Sequence, residues 1–228
     1  WAQTPLRFLM DTVMRVTFPA FSRLQDRKDQ LRNALERSGF FINFFILPVL
    51  FGMGFLMPKV VQVFPQYQKW QIGLTPFWFY LASFVFAATT TPLTNAFNSV
   101  GKVKITLKLM VLWTVATWAA VPVLAKFLGV NGAALGLLLV SSTSFIAWII
   151  AKREFGVSIK RILLTPLFIS LLMLIVLMLA DKFLPLGIGE IVFLVILGVL
   201  VYGGISFLLV RDEIFWFINT LSQWRRKK

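Results

Sequence analysis

Seven apolar segments can be drawn along the chain, near 5–22, 38–57, 75–98, 103–125, 131–151, 162–180 and 188–210. About 20 apolar residues span the hydrocarbon core of a bilayer. Blocks of this length, recurring down one chain, predict a bundle of membrane-spanning helices. The first block is short and the most polar, because Arg7, Asp11 and Arg15 interrupt it.

The connections between blocks carry the opposite signature. "PKVVQVFPQYQKWQIGLTP" is aromatic and holds prolines with Trp and Tyr, and reads as an interfacial loop. "SVGKVK" and "KFLGVNG" are glycine turns, "AKREFGVSIKR" is basic, and "DKFLPLGIGE" is short with Pro and Gly. After Val210 the tail "RDEIFWFINTLSQWRRKK" gathers Ile214, Phe215, Phe217, Ile218 and Leu221 on roughly one helical side. That predicts a helix lying on the membrane, finished by a basic cluster. The expected organisation is a helical lobe over 1–210 and a cytoplasmic amphipathic basic tail over 211–228.

Basic residues alternate between connections. Arg23, Arg27, Lys28, Arg32 and Arg37 follow the first segment, and Lys102, Lys104 and Lys108 follow the third. Lys152, Arg153, Lys160 and Arg161 follow the fifth, and Arg211, Arg225, Arg226, Lys227 and Lys228 follow the seventh. Only Lys59, Lys69, Lys126 and Lys182 fall in the intervening connections. Excess Lys and Arg mark the cytoplasmic side. The first set, and with it the C-terminus, is therefore expected in the cytoplasm.

Composition agrees with this pattern. Hydrophobic residues make up 58% and charged residues 14%, against about 45–50% and about 25% in soluble domains. Cysteine and histidine are absent from the sequence, which excludes disulfides and zinc, cysteine or histidine chemistry in this chain. No GxxxxGK[ST] run occurs, so no Walker ATPase is encoded here. No paired carboxylates fall in a soluble loop, which argues against a glycosyltransferase or hydrolase. The net charge of +14 would suggest nucleic acid in a soluble protein; here topology is its first use. No cofactor or metal site is expected. The chain opens on Trp1 with a span starting almost at once, as expected of the C-terminal part of a longer protein.

Two polar features are candidates for substrate. Arg7, Asp11 and Arg15 are four apart, one column on a helix with Asp11 able to pair either way. Each charge at membrane depth costs about 2.5–3.5 kcal/mol on insertion scales and faces a bundle interior or a watery cavity. The column is either a cationic patch for an anionic head group or an internal weld, with Arg7 snorkelling outward. Thr91, Thr94, Asn95 and Asn98 recur at three or four, a polar stripe beside Pro92. They line a substrate cavity or make interhelical hydrogen bonds; the proline frees a carbonyl that Thr hydroxyls can resatisfy. Gly132 and Gly136 form a small-xxx-small packing face. Asp181, Glu190 and Glu154 sit at segment ends and need no special role.

The run "RVTFPAFSRLQDRKDQLRNALERSGFFINFFILPVLFGMGFL" resembles the polysaccharide-exporting flippases of the multidrug/oligosaccharidyl-lipid/polysaccharide exporter superfamily. "TPLTNAFNSVGKVKITLKLMVLWTV" and "KFLGVNGAALGLLLVSS" are similar to later helices and turns of that family, in its order, so the resemblance covers roughly residues 15–152. It implies an all-α polytopic bundle of about seven spans, the second lobe of a two-lobed alternating-access transporter, with the N-terminal lobe as a missing partner. It implies export of a polyprenyl-diphosphate-linked polysaccharide repeat across the bacterial cytoplasmic (inner) membrane, without enzymatic chemistry. Arg15, then Arg7, would meet the anionic head group; Asp11 would sense a proton or sodium gradient; Thr91, Asn95 and Asn98 would line the path. The rivals are a drug–cation antiporter or cell-wall-precursor flippase of the same superfamily, and an integral-membrane polysaccharide polymerase. A cation exporter would need an unpaired acidic cavity, whereas this half carries net positive charge.

Overall fold

The computed structural model describes residues 17–211 and Glu213. All of the expected tail 211–228 except Arg211 and Glu213, and most of the first segment, including Arg7, Asp11 and Arg15, lie outside the described residues. Helical residues 17–23 lead into α1 (Lys28–Val63), a 3-10 segment (Pro65–Gly73), α2 (Leu74–Ser99) and α3 (Val103–Ser142). After these come α4 (Phe145–Phe155), α5 (Ile159–Asp181) and α6 (Ile188–Leu209). No strand occurs among the described residues. Among the described residues, five helical runs are long and apolar enough to cross a membrane.

That count differs from seven for two reasons. The first segment begins outside the described residues, and the blocks near 103–125 and 131–151 fall in a single helical run, Val103–Phe155. This run is not straight. Gly129 has φ 58° and ψ −138°, a conformation open to glycine and closed to residues with a Cβ. Beyond it the chain folds back. A Cβ on Gly132 would stand 1.9 Å from the Leu124 carbonyl oxygen, and one on Gly136 would stand 3.0 Å from Val121 Cα. Residues 121 and 136 would lie about 22 Å apart in a straight helix. Here they touch, so α3 is a helical hairpin whose two limbs meet backbone to backbone. The packing role expected of Gly132 and Gly136 is exercised inside α3.

The connection read as an interfacial loop is helical instead. α1 continues through Pro58 to Val63, and nine residues of 3-10 helix follow. α1 has 36 residues, about 54 Å of helix, so it overshoots a hydrocarbon core of about 30 Å. Trp70 and Ile72 on the 3-10 segment are exposed.

The chain divides into two compact units, Trp1–Phe168 and Ile169–Lys228. In the first, α2 packs against α1, α3 and α4. One apolar core joins Phe21, Leu31, Leu35, Leu93, Phe97 and Ile162 with small residues such as Ala147 and Ala151. A second joins Ile42, Ile46 and Leu50 of α1 to Leu81, Phe84 and Ala88 of α2. Outside these cores, large apolar side chains face outward: Trp118 is 77% exposed and Phe127 76%. Such a surface belongs against lipid. In the second unit, Met173 and Leu177 pack at Gly198 of α6. The Glu190 carboxylate accepts a hydrogen bond from the Gly187 N–H at 3.3 Å, which caps the start of α6.

Candidate functional site

Polar side chains inside the first unit concentrate on α2 and divide between two of its faces. Thr89 and Thr90 point inward and are buried. The Thr89 hydroxyl donates to Asn43 Oδ1 of α1 at 3.1 Å, and Asn43 Nδ2 donates to the Gly39 carbonyl at 2.8 Å. Trp148 Nε1 of α4 donates to the Thr90 hydroxyl at 3.2 Å, with its ring stacked on Phe86 at 5.9 Å. Two neighbouring threonines thus tie α2 to two different helices. A buried polar group without a partner is costly in a medium lacking water, and Asn43 and Thr89 satisfy each other.

Thr91, Asn95 and Asn98 occupy the other face. Thr91 is half-buried, and its hydroxyl donates to the Ala87 carbonyl at 2.7 Å. Pro92 removes the bond to the carbonyl one residue later, that of Ala88. Asn95 is buried, and its Nδ2 donates to the Thr17 hydroxyl at 3.3 Å. Thr17 follows Arg15 by two residues in the chain. Asn98 is half-buried, and its Oδ1 is shielded from solvent without a hydrogen-bond partner among the described residues. The three candidates do lie along one helix face, and one of them reaches the segment that carries the charged column. Arg7, Asp11 and Arg15 themselves lie outside the described residues.

At the end of the bundle where α2 stops, the basic connections meet. Ser22 donates to the Ser99 carbonyl at 3.2 Å. Arg32 Nε lies 3.3 Å from Glu36 Oε1, Arg161 Nη1 lies 3.4 Å from Glu36 Oε2, and the Ser158 backbone N–H donates to Glu36 Oε1 at 2.7 Å. Lys102 pairs with Glu154 and also sits 5.7 Å over the Phe155 ring. Connections far apart in sequence, at 24–37, 99–104 and 152–161, therefore share one end. The three sets of basic residues grouped by alternation are grouped in space as well.

Glu36 had drawn no attention in the sequence. It is buried, yet it receives two arginines and a backbone N–H. Its only local signal is Arg32 four residues earlier. Asn43 was more legible: it is the one amide within the apolar run "GFFINFFILPVL". The stripe on α2 offers amide and hydroxyl groups, which can hold a ligand by hydrogen bonds and carry no titratable proton. No cluster of three His, Cys, Asp or Glu side chains able to hold a metal occurs among the described residues.

A family model described as "Polysaccharide biosynthesis protein" matches residues 1–71. The description of that family agrees with the resemblance read from the sequence, over less than half of the chain. A solved structure that this chain is similar to is "Lipid II flippase MurJ, inward closed conformation", with a TM-score of 0.74 at 17% identity over 93% of this chain. The alignment takes in 47% of the flippase chain, so this chain spans about half its length. At that identity the likeness establishes a shared multi-pass helical fold. No curated protein matches the sequence.

Proposed function

We propose that the chain is one lobe of an alternating-access transporter that moves a lipid-linked oligosaccharide, a polyprenyl-diphosphate-linked polysaccharide repeat, between leaflets of the bacterial cytoplasmic membrane. The fold shared with a lipid II flippase carries this reading, and the family match over 1–71 supports it. Seven spans over 1–210 complete the lobe, the hairpin of α3 supplying two of them. The end that gathers Glu36, Arg161 and Lys102 faces the cytoplasm, and residues 211–228 lie along the membrane there. Arg15, with Arg7, receives the diphosphate, and Asp11 balances the charge and senses the driving gradient. Thr91, Asn95 and Asn98 continue that surface with neutral hydrogen-bonding groups suited to sugar hydroxyls. No covalent step is involved, so the protein acts as a transporter and not as an enzyme.

The full-length protein in vesicles carrying a fluorescent polyprenyl-diphosphate saccharide tests this. Transfer of the probe between leaflets, read by its loss to a membrane-impermeant quencher, is expected above protein-free vesicles. Equal rates with and without protein would reject the reading. Arg15→Ala is expected to slow transfer roughly tenfold or more at equal protein level, since a hydrogen bond to a charged group is worth about 1.5–3 kcal/mol. Unchanged transfer would remove Arg15 from the site while leaving the transporter intact.

A further inference from the structure

The charged end of the first unit contains more lysine and arginine than its acids neutralise. Glu36 is occupied by Arg32 and Arg161, and Glu154 by Lys102. Lys104 and Lys108 have no ion-pair partner among the described residues, and both are exposed. Lys28 and Lys160, each at a helix start on another connection, serve as comparison positions at the same basic end.

Lys104 and Lys108 are one turn apart on the first limb of α3 and share its outward face. That face is otherwise apolar and uncovered: Val103 is 56% exposed, Leu107 60%, Val111 54% and Val115 62%. The opposite face holds the buried Thr106 and Leu109, with Thr106 directed at the Thr94 carbonyl of α2. Lys108 sits on the sixth residue of α3, about 8 Å along the helix from its start. An ammonium group so placed, among exposed Leu, Met and Val, has to extend along the helix toward the interface. Lys104 stands where it would arrive. Two ammonium groups then share one side of α3 at the interface, beside an apolar strip.

We infer that Lys104 and Lys108 form a binding site for an anionic phospholipid, its phosphate held between the two ammonium groups and an acyl chain lying along Leu107, Val111 and Val115. Charge complementarity selects the head group, and the exposed apolar strip selects a lipid over a soluble phosphate. Neither of the paired acids competes, because both are engaged elsewhere. The inference requires that α3 cross a bilayer and does not require flippase activity.

Spin-labelled phosphatidylglycerol and phosphatidylcholine, added to the full-length protein in phosphatidylcholine membranes, measure the preference directly. The protein is expected to retain the anionic probe preferentially. Each lysine near the surface contributes about a fivefold preference, so Lys104→Gln/Lys108→Gln should remove most of the selectivity. Lys104→Arg/Lys108→Arg should keep it, which separates lost charge from lost folding. Lys28→Gln/Lys160→Gln should retain most of it. Unchanged selectivity in the glutamine variant, or an equal loss in the Lys28/Lys160 control, overturns the site. A fluorophore on Leu107→Cys should be quenched by lipids brominated on the acyl chain. Protection from quenching would mean that another lobe or a second copy covers the face, which also overturns the inference.

Discussion

The two ends of the first unit are held by different physics. At the basic end, Glu36 binds Arg32, Arg161 and the Ser158 N–H, and Lys102 meets Glu154. At the far end, the turn of α3 is closed by the absence of side chains, where Gly132 meets the Leu124 backbone. Trp78 Nε1 of α2 donates to the Gly54 carbonyl of α1 at 2.9 Å. The contrast follows from where the charges lie. At the basic end, acids and bases from separate connections can clamp one another. Toward the far end few charges are at hand, and helices gain nothing from hiding apolar surface from lipid, so close backbone approach and short polar bonds hold them together.

Substitution at the glycine end should produce the largest effect. Gly132→Leu places atoms where the Leu124 backbone already stands, and backbone cannot rotate away. A loss of roughly 3 kcal/mol or more is expected, visible as a large drop in thermal stability of the detergent-solubilised protein. Gly136→Ala, facing a 3.0 Å contact, should cost less. Near-equal melting of Gly132→Leu and the parent would mean that the hairpin does not pack as described.

Glu36→Ala should come next, at about 1.5–3 kcal/mol, the value of hydrogen bonds to a charged group. Both arginines retain solvent, at 40% and 71% side-chain exposure, so the ion pairs add little beyond it. Glu36→Gln keeps an acceptor for the Ser158 N–H and should recover a large part of the loss. If glutamine proves as damaging as alanine, the arginines outweigh the backbone bond.

The polar bonds of the interior should be weaker. A double-mutant cycle on Asn43→Ala and Thr89→Ala should return a coupling of about 0.6 kcal/mol, with about 1.7 as a ceiling. Zero coupling would break the assignment of this pair. Smallest of all is Lys102 with Glu154, each partly exposed. Removing either should change stability by about 0.2–1 kcal/mol and lose that effect in high salt. A salt-insensitive effect would show that Lys102 acts through the Phe155 ring instead.

Much of the helix pattern was legible because its cause is one-dimensional. A block such as 162–180 has a hydropathy that does not depend on its neighbours, and α5 spans Ile159–Asp181. The same holds for 75–98 and α2, Leu74–Ser99. The stretch Pro58–Pro76 was less legible: its prolines and polar residues read as a loop, yet Pro58 lies inside α1 and Pro65 opens the 3-10 turn, where a proline suits a helix start. Polar residues on α2 showed a period but not a destination. The stripe at 91, 95 and 98 was visible, whereas the threonines that stitch the bundle, Thr89 and Thr90, lie just outside it.

By itself the sequence determined that this is a many-times apolar chain with its basic residues sorted to alternate connections. Both properties are sums over local residues, and neither needs a partner to exist. Only the tertiary structure decided that Gly132 and Gly136 meet the backbone at Leu124 and Val121, that three separate basic connections meet around Glu36, and that Lys104 and Lys108 face outward over an apolar strip. Those facts depend on residues far apart in the chain arriving at the same place, and a carboxylate or an ammonium group acquires its role from what stands within a few ångströms of it.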